Sequence, residues 1–289
     1  MGRIIEILML LTAASFAGPS LCVENIMGRR LAAAIDDEGY LYHLSECEWD
    51  PTEEPCPGTG PFQVFIQPGV SHNTYVTLII DSQGRIYQSD GSSWALLGSA
   101  FSQTCPPCIG TVFTSDEGRI SYAVLDSSGV IHLNSSDPED RRPFSAFPHM
   151  PANDFDLFLN SESGTLIPEI LAEDGCLYAY LNGHWKKADF MESTIGLQKI
   201  ESHLDPETMD LAFYGIDSDG IMYCDAVTGS LAPMDLDPCP GEGPWDIGLI
   251  PFQDGQVLIA ALDSGGLLSL SNGEEWTVIA APFPCEVNP

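Results

Sequence analysis

The sequence predicts an all-β fold: a six-bladed β-propeller made of four-stranded antiparallel blades. Three observations predict it: a short phrase that occurs six times, an almost constant spacing between its copies, and strand-like segments separated by turn residues. A period near 45 residues is typical of propellers, in which each repeat forms one four-stranded sheet. Because such sheets bury their faces only against one another, we expect residues 22–289 to form a single domain.

The recurring phrase has the form apolar–Asp–x–x–Gly. Its final glycines are 45, 45, 46, 45 and 46 residues apart, and they are Gly39, Gly84, Gly129, Gly175, Gly220 and Gly266. Five copies carry the aspartate, as Asp36, Asp81, Asp126, Asp217 and Asp263, and the fourth has Ala172 instead. An aspartate accepts hydrogen bonds from the backbone two residues on, and glycine tolerates a positive φ, so the phrase predicts a hairpin turn.

Calcium coordination is a second interpretation of these aspartates. The stretch 217–220 is similar to the start of an EF-hand loop, but it lacks the third acidic ligand and the glutamate at position 12. Turn capping is therefore favoured. We expect no metal site and no cofactor beyond weak Ca²⁺ binding.

Aromatic residues recur in register with the phrase. One series lies three residues after the glycine, as Tyr42, Tyr87, His132, Tyr178 and Tyr223, and a second series is Trp49, Trp94, Trp185 and Trp276. Aromatic faces suit sugar rings, so both series are candidates for sugar pockets. A large side chain at the same place in each repeat is better explained by packing between blades.

The layout of these repeats resembles known propeller families. Residues 112–133 resemble a WD-repeat blade in the order of strands and turns, although the Gly-His and Trp-Asp dipeptides are missing. The phrase with its downstream Trp is also similar to tectonin-type lectin repeats and to repeats of the regulator of chromosome condensation type. The resemblance covers nearly all of the chain after residue 21. It implies the architecture, and by analogy with tectonin-type lectins it makes sugar binding an expectation, although one fold hosts many activities.

The charge balance limits the choice of partners. The chain has 42 acidic and 10 basic residues, which gives a net charge of −32. Such a field repels nucleic acid backbones and anionic lipid headgroups, so we expect neither nucleic-acid binding nor membrane insertion. It would attract a basic partner, although solubility alone also accounts for a strongly acidic surface.

The N-terminus has the pattern of a secretory signal peptide, which we assign to residues 1–17. Arg3 supplies the positive charge, residues 7–11 open an apolar stretch, and residues 15–17 fit a cleavage site. Nine cysteines agree with an oxidising compartment, and Asn134 starts an N-glycosylation sequon. We therefore expect a secreted protein.

The cysteines suggest a set of disulfides, although sequence alone cannot fix their connectivity. We predict four pairs, with Cys176 left as a buried thiol: Cys47–Cys56, Cys105–Cys108, Cys224–Cys239, and Cys22–Cys285, which would close the ring. The Cys105–Cys108 pair also fits a redox motif or half of a zinc site. Its strand-like flanks and the lack of a second such pair favour a structural role.

The function that the sequence favours is a secreted non-catalytic binding protein for a glycan or for an extracellular protein, and a basic protein is one option. Phe62 and Trp245 follow matching Gly-Pro linkers and begin predicted innermost strands, so we predict that they lie at one mouth of the channel and bind the ligand. No catalytic motif is present. The alternatives are a secreted hydrolase with a channel site and an acidic matrix or storage protein. Three or more polar groups around an open mouth would favour the hydrolase.

Overall fold

The computed structural model describes residues 18–26, 29–68, 75–90, 92–99, 106–114, 120–134, 144–160, 165–188, 196–204, 211–225, 231–252 and 256–283. These residues form six antiparallel sheets, one for each copy of the phrase, and no helix. The predicted six-bladed β-propeller is therefore confirmed. No helix in the described segments is long and apolar enough to cross a membrane.

Within each blade the strands follow chain order from the channel outwards. Blade 1 contains β1 (Ser20–Ile26), β2 (Arg29–Ile35), β3 (Leu41–Ser45) and β4 (Glu48–Pro51). Blade 2 contains β5 (Phe62–Pro68), β6 (Tyr75–Asp81), β7 (Arg85–Ser89) and β8 (Trp94–Ser99). Blade 3 contains β9 (Cys108–Thr114), β10 (Ile120–Asp126) and β11 (Ile131–Asn134), and residues 135–143, after β11, lie outside the described residues.

The other three blades have four strands each. Blade 4 contains β12 (Ala152–Asn160), β13 (Thr165–Ala172), β14 (Leu177–Leu181) and β15 (His184–Lys187). Blade 5 contains β16 (Leu197–Leu204), β17 (Leu211–Asp217), β18 (Met222–Cys224) and β19 (Ala232–Pro233). Blade 6 contains β20 (Asp246–Pro251), β21 (Val257–Leu262), β22 (Leu268–Ser271) and β23 (Trp276–Ala280).

The core is divided into apolar clusters, most of which lie between neighbouring blades. Ile35 and Leu41 of blade 1, for example, pack with Val64 and Ile79 of blade 2. Another cluster joins blade 1 to blade 6 and closes the ring. Each sheet buries its faces only against its neighbours, which explains why a large residue recurs at the same positions in most repeats.

The phrase caps the turn between the second and third strands, as predicted. Asp217 shows the pattern: its Oδ1 accepts from the N–H groups of Asp219 (2.9 Å) and Ile221 (3.0 Å), and its Oδ2 accepts from the Tyr223 hydroxyl (3.0 Å). All six phrase glycines have φ between 70° and 90°. The aspartates therefore cap their turns, and Tyr42, His132 and Tyr223 of the Tyr/His series bond to them.

The Trp series ties four blades, 1, 2, 4 and 6, to the blade before each of them. Trp94, Trp185 and Trp276 each donate an indole N–H to a backbone carbonyl 39 or 40 residues earlier, at 2.8–3.0 Å. Trp49 donates at 2.9 Å to the carbonyl of Gly266, in blade 6. The packing interpretation of this series is therefore confirmed.

Contrary to the prediction, the structure forms neither the Cys47–Cys56 nor the Cys224–Cys239 disulfide. Cys47 lies in the β3–β4 turn, whereas the Cys56 N–H bonds to the carbonyl of Gly39 beyond the other end of β3. A five-residue strand spans ~16 Å, and a disulfide requires Cα atoms within about 7 Å.

The second pair fails for the same reason. The Cys239 N–H bonds to the Gly220 carbonyl before β18, and Cys224 ends that strand. Cys56 and Cys239 instead pack in the core as small apolar residues, and burial raises the pKa of each thiol to about 12. Cys176 is buried, as predicted. Cys105 and Cys285 lie outside the described residues, so the Cys105–Cys108 and Cys22–Cys285 pairs stay predictions, as does the signal peptide at 1–17.

Candidate functional site

The six innermost strands surround a polar channel. It opens at the end where these strands begin into a cavity of about 420 Å³, and it continues into a second cavity of about 340 Å³. We call the first the mouth cavity and the second the inner cavity. Five residues line both: Ser20, Gln63, Asp154, Lys199 and Asp246. Since alternate residues of a strand share a face, the channel is built in layers along its axis.

The mouth cavity combines apolar surfaces with planar polar groups. Phe62 and Trp245 line it, and so do the amide side chains of Asn153 and Gln198. Both aromatic rings are largely buried, because they pack against glycines of the linkers that precede β5 and β20. The prediction placed these two rings at a mouth correctly. Their main contacts are structural, and ligand binding by them stays a prediction.

Two buried side-chain atoms, each from a residue that lines the mouth cavity, lack a hydrogen-bond partner within the described part of the chain. They are Oε1 of Gln198 and Nε1 of Trp245, whose residue is only 9% exposed. Buried polar atoms without a hydrogen bond are uncommon in folded proteins and call for an explanation. One is an acceptor and the other a donor.

Lys199 lies in the layer between the two cavities. Its Nζ is 2.9 Å from Asp154 Oδ1 and 3.4 Å from Asp246 Oδ1. Burial alone would lower the pKa of Lys199, but the charges of Asp154, Asp246 and Glu201 outweigh burial and hold that pKa above its ordinary value. Asp246 Oδ2 also accepts from the Leu21 N–H at 2.7 Å, and Asp154 Oδ2 from the Ile200 N–H at 3.3 Å. The ammonium group of Lys199 thus joins blades 4, 5 and 6, and the carboxylate of Asp246 joins blade 1 to them.

The inner cavity is acidic beyond this layer. Asp156 and Glu201 line it, two residues further along the strands than Asp154 and Lys199, and Glu24 lines it from blade 1. Asp156 accepts from the Thr111 hydroxyl at 2.9 Å and from the Leu157 N–H at 2.7 Å. Glu201 accepts no hydrogen bond from a described residue; burial, followed by the charge of Asp156, raises its pKa well above the ordinary value.

Glu169 provides a further carboxyl group, next to Asp156 on the neighbouring strand β13. It lies opposite Asp156 in the β12–β13 register, on the same face of blade 4, and is only 7% exposed. Burial, and then the charge of Asp156, raise its pKa to about 8. No described residue donates a hydrogen bond to it.

The structure does not arrange these carboxylates as a metal clamp. No group of three or more His, Cys, Asp or Glu residues within the described segments converges on one ion. The phrase aspartates are occupied by their own turns, so they do not form a cation site either.

Asn134, the glycosylation candidate, is exposed at the end of β11, and its Nδ2 donates to the Tyr122 hydroxyl. Its modification stays a prediction, because the sequon continues into residues outside the described part. Sequence reasoning missed the channel residues, since they are not repeated. The spacings Asp154-x-Asp156 and Lys199-x-Glu201 in predicted innermost strands were the available signal, because charged residues on one face of a buried strand are unusual.

Comparison with known proteins defines the fold. No known family's sequence profile matches the chain, and no curated protein is similar to it in sequence. The structure is similar to the lectin of Aleuria aurantia, solved in complex with Fucα1-6GlcNAc, with 15% identity over 93% of this chain and 97% of that one and a TM-score of 0.64. It is also similar to SapL1 lectin in complex with α-methyl fucoside, with 10% identity over 94% and 99% and a TM-score of 0.62.

A third similar structure is BBS1N, solved in complex with ARL6DN, with 14% identity over 93% of this chain and 84% of that one and a TM-score of 0.52. At identities this low the likeness shows a shared fold and nothing more. Similar propellers are thus found with a sugar and with a protein bound, so the ligand of this chain has to be inferred from its own residues.

Proposed function

We propose that this protein is a non-catalytic, secreted glycan-binding propeller that holds a sugar in the mouth cavity. The observation that carries the proposal is the cavity itself. It joins amide and carboxylate side chains to the rings of Phe62 and Trp245, and it leaves a buried donor and a buried acceptor unpaired within the described residues. A sugar offers apolar C–H faces to rings and hydroxyl groups to planar polar side chains.

The size of the cavity agrees with this proposal. Small-molecule sites fall between about 300 and 1,000 Å³, and the mouth cavity of about 420 Å³ is at the lower end of that range. The fucose-binding lectins among the similar structures add support at the level of architecture. They make α-methyl fucoside a sensible first probe for this chain.

The test is calorimetric titration of the full chain with α-methyl fucoside, preceded by a glycan array to find other sugars. We expect saturable binding that Gln198→Ala weakens about tenfold, because the substitution removes an acceptor from the mouth cavity. The matched control is Gln88→Ala, on β7 and outside both cavities. A chain that binds no glycan, or equal losses in both variants, would overturn the proposal.

A hydrolase is the second candidate, because the mouth cavity collects more than three polar or charged groups. General acids in glycosidases have raised pKa values, and burial raises the pKa values of Asp156, Asp246 and Glu201. Against catalysis, Lys199 already pairs with Asp154 and Asp246. Release of chromophore from nitrophenyl glycosides, lost in Glu201→Gln, would establish the hydrolase instead.

A further inference from the structure

The charged groups of the mouth cavity are engaged with one another. Among the residues that line it, three carry a formal charge: Asp154, Lys199 and Asp246. Lys199 Nζ lies 2.9 Å from one aspartate and 3.4 Å from the other. The second carboxylate oxygen of each aspartate accepts from a backbone N–H, that of Ile200 or that of Leu21. A ligand in the mouth cavity therefore meets no charged group that lacks a partner.

This arrangement disfavours a charged ligand of either sign. An acidic sugar would bring a further negative charge next to two carboxylates and one ammonium, in a chain whose net charge is −32. A cationic sugar would have to compete with Lys199 for the same two carboxylates. Burial of an unpaired charge is costly, whereas a buried uncharged polar group needs only hydrogen bonds. The paired charges therefore favour an uncharged ligand.

Two innermost strands carry an extra residue at the mouth. The pairing of β12 with β13 skips Asn153, and the pairing of β16 with β17 skips Gln198, so each strand contains a β-bulge. No such shift interrupts the described first strands of the other four blades. A β-bulge changes the direction of a side chain and is often found beside a functional site. Both bulged residues line the mouth cavity, on the side formed by blades 4 and 5.

The two bulged residues are both amides, and they are linked. Asn153 Nδ2 donates at 3.3 Å to the carbonyl of Leu197, the residue directly before Gln198. Gln198 Oε1 is buried and accepts no hydrogen bond from a described residue, and a buried acceptor of this kind calls for a partner. An amide offers donors and an acceptor without carrying a charge. The bulges therefore add hydrogen-bonding groups to the mouth without adding charge.

We infer that Asn153 and Gln198 determine the specificity of the mouth cavity, and that they select one uncharged sugar per chain. This inference rests on the proposed function, and it adds the class of sugar and the side of the mouth that selects it. Hydroxyl groups of the sugar bond to the two amides. The paired charges of Lys199 and its two aspartates exclude sugars that carry a carboxylate or an ammonium group.

The experiment begins with the full chain on a glycan array that presents each glycan with and without a terminal sialic acid, and with a free or an acetylated amine. We expect the uncharged forms to bind about tenfold more tightly than the sialylated and free-amine forms. Calorimetric titration then uses the uncharged glycan that binds most tightly. It should give one ligand per chain, with an affinity that changes less than about twofold between low and high sodium chloride, because no ion pair forms.

Two variants test the amides themselves. Gln198→Glu and Asn153→Asp keep the shape of each side chain and introduce a carboxylate without a counter-charge, and each should weaken binding of that glycan about tenfold. The control is Asn272→Asp, an exposed position in the β22–β23 turn outside both cavities, which changes the net charge equally and should leave the affinity unchanged. Urea denaturation checks that the variants fold, and the comparison of charged with uncharged glycans needs no variant.

Four results would each overturn the inference. They are equal binding of sialylated and uncharged forms, an affinity that falls steeply with salt, equal losses in the amide variants and in Asn272→Asp, and several ligands per chain. In the first two cases the protein would still bind a glycan, so the proposed function would stand. A chain that binds no glycan on the array would overturn the proposed function itself, and this inference with it.

Discussion

Two sets of carboxylates in this protein have opposite effects on its stability. The phrase aspartates are repeated around the ring, and each is surrounded by donors; Asp217, for instance, accepts three hydrogen bonds from its own turn. Glu169 and Glu201 occur once each and have no donor among the described residues. The first set stabilises the fold, and the second set costs stability at neutral pH. Unrepeated carboxylates in a repeat protein are therefore better functional candidates than repeated ones.

The largest expected effect is the loss of a phrase aspartate. Asp217→Ala leaves two turn N–H groups and the Tyr223 hydroxyl without their acceptor, and we expect the free energy of unfolding to fall by about 3 kcal/mol. Urea denaturation measures it. Asp219→Ala, in the same turn but exposed, is the matched control and should change stability by less than about 0.5 kcal/mol. Similar losses in the two variants would show that Asp217 does not cap the turn.

The second-largest expected effect is an increase in stability, caused by Glu169→Gln, and its size depends on pH. Because the folded-state pKa of Glu169 is about 8, above its ordinary value of 4.5, the folded chain keeps a proton that the unfolded chain releases between these values. The contribution of protonated Glu169 to the free energy of unfolding is therefore fully present below pH 4.5, and it is lost as pH rises through 8. We expect Glu169→Gln to stabilise the protein by about 2 kcal/mol at pH 8.

Thermal unfolding of the wild type and the Glu169→Gln variant at pH 5 and pH 8 measures this difference. The gap between the two proteins should be small at pH 5 and widen at pH 8. A variant that is less stable than the wild type at both values would mean that the Glu169 carboxylate has a partner that stabilises it.

The smallest effect concerns the bonds between blades. Trp94→Phe keeps an aromatic ring but removes the 3.0 Å hydrogen bond to the Glu54 carbonyl. We expect a loss of about 1 kcal/mol, because a single neutral hydrogen bond at a partly exposed site is replaced by water. Chemical denaturation measures this loss. A larger loss than that of Asp217→Ala would mean that the hydrogen bonds between blades stabilise the fold more than the turn caps do.

Much of the architecture could be predicted from local sequence. The phrase glycines required a positive φ, and the Asp and Trp series recurred at a fixed spacing, so both the turn and the blade interface could be inferred from neighbouring residues. The predicted disulfides show the limit of inference from distance along the chain. Cys47 and Cys56 are close in sequence, but the linker returns Cys56 to the Gly39 end of the blade, away from the β3–β4 turn.

The sequence predicted only part of the candidate site. Phe62 and Trp245 were placed at a channel mouth because they follow matching linkers and begin innermost strands. The residues that give the channel its chemistry lie far apart in the chain: Lys199 is 45 residues from Asp154, and Leu21 is 225 residues from Asp246. No local sequence pattern predicts that such residues lie close together in the fold.

The sequence by itself therefore determined the number of blades, the turn between the second and third strands of each blade and the large residues between blades, because each depends on residues near one another in the chain. Only the tertiary structure decided which charges share the channel and which of them pair with Lys199. Closing the ring brings six innermost strands around one axis, and the electrostatics of that axis depend on distances that exist only after closure.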